Sequence, residues 1–262
     1  MGAQAELALE SVRFGYGAGD WELRVSGLRF GGEPVCGVVG PNGSGKSTLL
    51  KIAAGLARPR QGEARLNGRP ILRMRRRDVA QELGYMPQES PATFDYDVEQ
   101  VVAMGRHAHG GSLEPERAGD VAAVARALDA VKLEAFRRRR LSQLSGGERR
   151  RAWVAAALAQ ETGILLLDEP TQALDIGQAA ALMEMLAEKA AAGLRVVAVL
   201  HDLNLATLFC DRLVMLDRGQ VLADGPPEEV VAREHVAEAF GSRVDVVRHP
   251  RTLHPILLAK RA

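Results

Sequence analysis

Val35-Cys36-Gly37-Val38-Val39-Gly40-Pro41-Asn42-Gly43-Ser44-Gly45-Lys46-Ser47-Thr48 is the stretch that decides the fold. A short apolar run leads into a loop with glycines at 40, 43 and 45, and a helical pattern follows Lys46. The loop fits G-x-x-x-x-G-K-[ST], a match that means most when a strand precedes it and a helix follows. Its glycines let backbone N–H groups turn inward around phosphate oxygens, and the helix opening near Lys46 adds a positive N-terminal end. Lys46 is expected to reach the β- and γ-phosphates of ATP, and the Ser47 hydroxyl to ligate Mg²⁺. The predicted nucleotide loop therefore comprises Gly40, Pro41, Asn42, Gly43, Ser44, Gly45, Lys46, Ser47 and Thr48.

Two further apolar runs end in groups that can do chemistry. Ile164 to Leu167 leads into Asp168-Glu169, and Val196 to Leu200 leads into His201-Asp202. Short continuous apolar runs suit strands buried on both faces, and the helical patterns between them imply crossover connections and a parallel sheet. Ligands in such sheets gather beyond the carboxyl ends of the strands, where all three polar clusters fall. Asp168 is expected to hold the magnesium shell, and Glu169 to act as general base or water-orienting residue. His201 alone would more often be a satisfied histidine than a catalyst, but its strand-end position suggests contact with the γ-phosphate.

Working outward, residues 7–16, 21–30 and 62–72 carry short alternating stretches with Asn67-Gly68 as a turn, which predicts small antiparallel strands beside the core. Residues 94–140 are helix-rich, with Val121, Val124, Leu128 and Val131 on one predicted face. A hairpin is expected around Asp217-Arg218-Gly219, and a helix opened by Pro226-Pro227. The organisation read from these signals is one ATPase domain over 7–241. Its nucleotide-binding core covers 7–93 and 161–241, a helical subdomain covers 94–160, and a tail without regular structure covers 242–262.

Composition narrows the function classes. The chain has 262 residues, a formal net charge of +1 and 4% aromatics, so neither whole-molecule charge nor base stacking argues for nucleic-acid binding. Two cysteines are too few for a disulfide framework and fit a reducing compartment. The longest uncharged stretch of note, Ala152 to Gln160, falls short of the roughly 18 apolar residues a bilayer span needs. The N-terminus does not read as a signal peptide, and Glu6 spoils an acylation pattern. A cytosolic chain that meets a membrane through a partner is the expectation. The basic runs at Arg73, Arg75 to Arg77 and Arg137 to Arg140 read as solvated helical faces, with anionic lipid or acidic partner loops as the alternative. His107 and His109 do not share a helix face, and a metal site there is not expected.

Leu144-Ser145-Gly146-Gly147-Glu148 poses a separate question. Ser-Gly-Gly before a helix presents free N–H groups and a hydroxyl, an anion site, although the same tripeptide often only caps or breaks a helix. Lys46 already holds one side of the γ-phosphate. The economical solution is a head-to-tail pair of chains in which Ser145, Gly146, Gly147 and Glu148 of one copy close the site of the other.

These motifs together resemble the ATP-binding subunit of ABC transporters. The resemblance rests on the phosphate loop, Tyr85-Met86-Pro87-Gln88, Leu144 to Glu148, Ile164 to Pro170, Ala173-Leu174-Asp175 and His201, in that order, and covers roughly residues 7–258. It implies a P-loop NTPase fold of α/β class with a RecA-like parallel core, an N-terminal antiparallel β subdomain and an inserted helical subdomain. It further implies that Tyr16 stacks on adenine, that Gln88 reaches Mg²⁺ while linking the helical subdomain to the core, and that Ala173 to Asp175 cross the dimer interface. Glu148 stands where Gln is commoner, and Gln172 where a small or amide residue is usual; neither change removes a catalytic group. Phe94-Asp95-x-x-Val98, Val102 to Arg106, His201-Asp202-Leu203-Asn204-Leu205-Ala206, Ala223 to Pro227, Phe240-Gly241 and Val246 to Pro250 are similar to importers of ferric siderophores, haem and cobalamin. The partners so implied are transmembrane permease subunits at the cytoplasmic face of the inner membrane and, indirectly, a substrate-binding protein. An export cassette is the nearer alternative. DNA-repair and ribosomal relatives are disfavoured by the lack of coiled-coil insertions and of a second cassette.

Overall fold

The computed structural model describes residues 5–17, 20–88, 95–110, 118–251 and 253–260. In chain order the strands and helices are β1 (Leu7–Phe14), β2 (Leu23–Phe30), β3 (Val35–Val39), α1 (Lys46–Ala53), β4 (Gln61–Leu66), β5 (Arg69–Pro70), α2 (Arg76–Glu82) and β6 (Leu83–Met86). Then follow α3 (Val98–Ala103), α4 (Ala118–Ala130), α5 (Gly146–Ala159), β7 (Ile164–Asp168), α6 (Ile176–Ala191), β8 (Arg195–Val199) and α7 (Leu203–Phe209). The chain continues with β9 (Arg212–Asp217), β10 (Gln220–Gly225), α8 (Pro227–Val230), α9 (Arg233–Phe240), β11 (Val244–Arg248) and β12 (Pro255–Ala259).

Ten strands form one sheet in the order β5-β4-β1-β2-β10-β9-β3-β8-β7-β6. From β9 to β6 every neighbouring pair is parallel. The N-terminal strands pair antiparallel, and a parallel bridge between Gln220 and Arg24 joins them to the rest. They therefore extend the core sheet instead of standing beside it.

The apolar runs of the parallel strands explain why they are central. On β7, Leu165 and Leu167 enter one core while Ile164 and Leu166 enter the other. Strands β3 and β8 alternate in the same way, with Val35 and Val196 on one side and Cys36 and Val197 on the other. Both faces are buried, so neither can be polar. One core is roofed by α3, α4 and α5, inserted between β6 and β7; the other lies against α1 and the antiparallel strands.

Several expectations need correction. Val121, placed on the buried face of the α4 segment, is 47% exposed. The buried stripe runs through Ala123, Val124, Ala127 and Leu128, leaving Val121 at its margin in the first turn. Arg137 to Arg140 do not form a helical face, because this segment follows a short 3₁₀ turn and pairs with acidic residues. Arg137 meets Glu99 and Glu134, Arg138 meets Glu99, Arg140 meets Asp95, and Arg139 covers the Phe136 ring. Phe94, the predicted start of the helical subdomain, lies outside the described residues.

The tail is not irregular either. β11 and β12 form an antiparallel hairpin, with His249 and His254 facing each other at its turn. Its docking explains its order. Asn204 Nδ2 donates to the Leu257 carbonyl and Asn204 Oδ1 accepts from the Leu257 amide, while Thr207 Oγ1 donates to the Pro255 carbonyl. The hairpin is thereby fastened along α7, the helix that begins just after His201.

Candidate active site

The phosphate loop leaves β3 and ends where α1 begins. Gly40 adopts φ 141°, and a Cβ there would lie 2.0 Å from the Leu216 carbonyl oxygen, so no other residue fits without moving β9. Gly45, at φ 107°, turns the chain into α1 against Trp21 and Leu23. Ser44 closes the loop through its amide to the Pro41 carbonyl, and its buried hydroxyl has no hydrogen-bond partner among the described residues.

Lys46 folds back over this loop. Its Nζ donates to the carbonyls of Gly40 and Pro41, each at 2.8 Å. Burial pulls its ammonium below the ordinary lysine value, against the opposing influence of Glu169 and Asp168. The cation is held by neutral carbonyls, which an anion can displace.

Asp168, fully buried, ends β7. Ser47 Oγ donates to its Oδ1 at 3.0 Å, and among the described residues Oδ2 has no hydrogen-bond partner. Burial raises this carboxyl above its usual value, and the Ser47 hydrogen bond acts the other way. An unpartnered buried carboxylate oxygen beside a hydroxyl oxygen is costly in isolation and suits a hard cation. With Gln88 lining the same cleft, the oxygen donors present fit Mg²⁺.

Glu169 follows at φ 56°, left-handed backbone that a non-glycine residue adopts at a cost of about 1 kcal/mol. The turn aims its side chain across the cleft, where Oε1 lies 2.5 Å from His201 Nε2. Asp202, next to that histidine, caps α7 through the Asn204 and Leu205 amides.

These parts enclose a cleft of about 440 Å³ lined by Tyr16, Trp21, Asn42, Gly43, Gly45, Lys46, Ser47, Thr48, Gln88, Glu169 and His201. The structure thus brings together the phosphate loop, the ends of β6 and β7, and His201. Tyr16, 57% exposed, shares a hydrogen bond with Thr48 at 3.2 Å and lies nearly parallel to Trp21, ring centroids 6.1 Å apart. Trp21 was read only as the start of a strand; its glycine-loop contact becomes visible once the fold closes.

Ser145, Gly146, Gly147 and Glu148 are not brought in. Among the described residues, none from 144 to 148 lines the cleft. Ser145 Oγ accepts from the Glu148 amide at 3.2 Å, and Glu148 Oε2 accepts from the Ser145 amide at 2.8 Å. This reciprocal cap begins α5. The Ser145 amide and, after it, its hydroxyl hold the Glu148 carboxyl below its ordinary value. Gly147 packs under Leu174, where a Cβ would come within 2.9 Å of that side chain. Ala173, at φ 63°, shapes the intervening loop.

The family model described as ABC transporter matches residues 26–172, from β2 to just past Glu169. The chain belongs to the ABC transporter family. As a member it is an ATP-binding, ATP-hydrolysing cassette. It is 42% identical to the petrobactin import ATP-binding protein FpuC of Bacillus anthracis, over 81% of this chain and 78% of that one. It is also 42% identical to the hemin import ATP-binding protein HmuV of Streptomyces coelicolor, over 83% and 77%. Among solved structures, the dimeric bacterial ABC transporter cassette MJ0796 superposes with a TM-score of 0.74 at 27% identity, covering 85% of this chain and 99% of that one.

Arg150 is the main residue of this cassette that the sequence does not single out, because Arg149-Arg150-Arg151 reads as a solvated patch. Yet it shares a helical register with buried Gly147 and Val154, at i−3 and i+4, and is only 7% exposed. That register was the available signal.

Proposed function

We propose that this chain is the ATP-hydrolysing subunit of an importer for ferric siderophores, haem, cobalamin or a similar chelate. It would work at the cytoplasmic face of the inner membrane, as a head-to-tail pair beneath transmembrane permease subunits that receive cargo from a substrate-binding protein. The observation that carries the cargo class is the 42% identity to import subunits for petrobactin and hemin. Among the described residues no helix is long and apolar enough to cross a membrane, consistent with peripheral attachment.

The chemistry follows from the cleft. Arriving phosphates meet the loop amides of Gly43 to Thr48 and draw Lys46 away from the Gly40 and Pro41 carbonyls. Ser47, Asp168 and Gln88 would hold Mg²⁺, which when bound would supply positive charge that partly neutralises the phosphates. Tyr16 presents an exposed ring for adenine, backed by Trp21. Glu169 accepts a proton from, or orients, the attacking water, and His201, beside Glu169 at the cleft, contacts the γ-phosphate side of the site. Ser145 to Glu148 lie outside their own chain's cleft, which supports their serving a second copy. ATP favours the closed pair because only there does it touch both halves. The helical subdomain over 94–160, reached through Gln88, would pass that closure to the permease.

Reconstitution of the chain with its membrane subunits and binding protein in proteoliposomes tests this reading. ATP-dependent inward movement of radio-iron siderophore, haem or cobalamin is expected, and Glu169→Gln should stop it while leaving ATP bound and the pair closed. Outward transport, or wild-type turnover by Glu169→Gln, overturns it.

A further inference from the structure

The geometry points to Arg150 as a positioning residue that holds the backbone of Glu169 and Gln88 in their working places from the helix that carries the Ser145 signature. This rests on the reading of Glu169 given above. Arg150 belongs to α5, five residues after Ser145, yet its guanidinium reaches the ends of both β6 and β7. Nε donates to the Glu169 carbonyl at 2.9 Å, and one terminal nitrogen donates to the same carbonyl at 2.6 Å and to that of Asp168. The other terminal nitrogen donates to the carbonyls of Gln88, at 2.6 Å, and Pro87, at 3.3 Å.

A guanidinium has five N–H donors in a rigid fork, and all five are used on four backbone oxygens. Among the described residues no carboxylate forms an ion pair with this group. Burial pulls the guanidinium below the ordinary arginine value, and the nearby charges of Glu169 and Asp168 oppose that. The arrangement is expensive to build, since a nearly buried cation is committed wholly to main chain. What it secures is the left-handed turn at Glu169. That turn aims the carboxylate toward His201, and the carbonyl on its far side is the one Arg150 grips twice.

The fork also joins two sites. In a head-to-tail pair, Ser145 would face the nucleotide of the partner, while Arg150 of the same helix braces the glutamate of its own chain. Any movement of α5 would therefore be felt by the backbone of Glu169 and Gln88 in its own chain. A lysine cannot substitute, because one ammonium with three donors cannot span carbonyls on two strands.

The test is steady-state hydrolysis and nucleotide binding by Arg150→Gln and Arg150→Lys, each with intact melting behaviour, alongside the same changes in a Glu169→Gln background. Both are expected to lower kcat about tenfold or more, with half-saturating ATP within about threefold, as misplacement of a positioned group does. In the Glu169→Gln background, the ATP-closed pair should form as readily as without the Arg150 change. Wild-type kcat in Arg150→Lys, a loss confined to ATP affinity, or failure of the double variant to close each overturns the proposal. Should Arg150→Gln not fold, Arg150→Lys alone decides between these outcomes. Wild-type turnover by Glu169→Gln by itself would instead overturn the role of Glu169, a result that is separable from the others.

Discussion

The chain contains two glycine-rich helix starts, Gly40 to Thr48 and Ser145 to Glu148, and they are finished in opposite ways. At the first, Lys46 and Ser44 leave groups that are weakly held or unheld: an ammonium on neutral carbonyls, a buried hydroxyl with no partner, and beside them an Asp168 oxygen with none. At the second, Ser145 and Glu148 satisfy one another through a reciprocal cap. The first surface is incomplete until a ligand arrives within the same chain. The second is satisfied as it stands and lies outside its own chain's cleft. Helix N-termini of similar composition can thus be a receiving site or a presenting one, and the satisfaction of their own hydrogen bonds separates the two.

Three experiments bear on that contrast. The largest effect is expected from Ser145→Arg, which should abolish hydrolysis while the isolated chain still binds ATP. Mixed in equal parts with Lys46→Ala, itself inactive, it should regain roughly a quarter of wild-type turnover, because half of random pairs then hold one intact shared site of two. A mixture no more active than its parents counts against a site shared between copies. Next, Lys46→Ala should weaken ATP binding by about 10- to 100-fold, the scale of a lost charge-assisted hydrogen bond to phosphate. Titration with a fluorescent nucleotide measures this, and unchanged affinity would mean that Lys46 stays on its loop carbonyls when ATP is bound.

The smallest effect is expected from the loss of the cap alone. Ser145→Ala should cost about 1 kcal/mol of stability through the lost cap, read as a lower midpoint in urea. The depressed Glu148 carboxyl gives the sign of the pH dependence. Its capping contribution is whole above the ordinary carboxylate value of 4.5 and fades as the pH falls through the lower folded value. The wild-type advantage over Ser145→Ala should therefore shrink in acid; a constant difference would show that the cap does not depend on the Glu148 charge.

The sequence made some of this legible and hid the rest for definable reasons. The phosphate loop, Asp168-Glu169 and His201 could be read because each directly follows a strand whose apolar run is buried on both faces. Such a run dictates position as well as structure. Arg150 could not be placed so, because its burial depends on α5 crossing the ends of β6 and β7, segments more than sixty and about eighteen residues away. Arg137 to Arg140 failed for the same reason, their acidic partners arriving from the start of α3 and the loop before it. The tail hairpin was missed because its alternation is short, and its anchor lies in Asn204 and Thr207 on a helix some fifty residues earlier.

That anchor has a consequence of its own. A two-stranded ribbon exposes open edges, and an edge with free amides and carbonyls is a template for strands of other chains. On β12 the outward groups are those of Pro255 and Leu257, two residues apart, and they meet Thr207 and Asn204, three apart on a helix. The Asn204 amide donates and accepts as a neighbouring strand would. One side chain thus stands in for a missing strand, and the ribbon ends there instead of recruiting another.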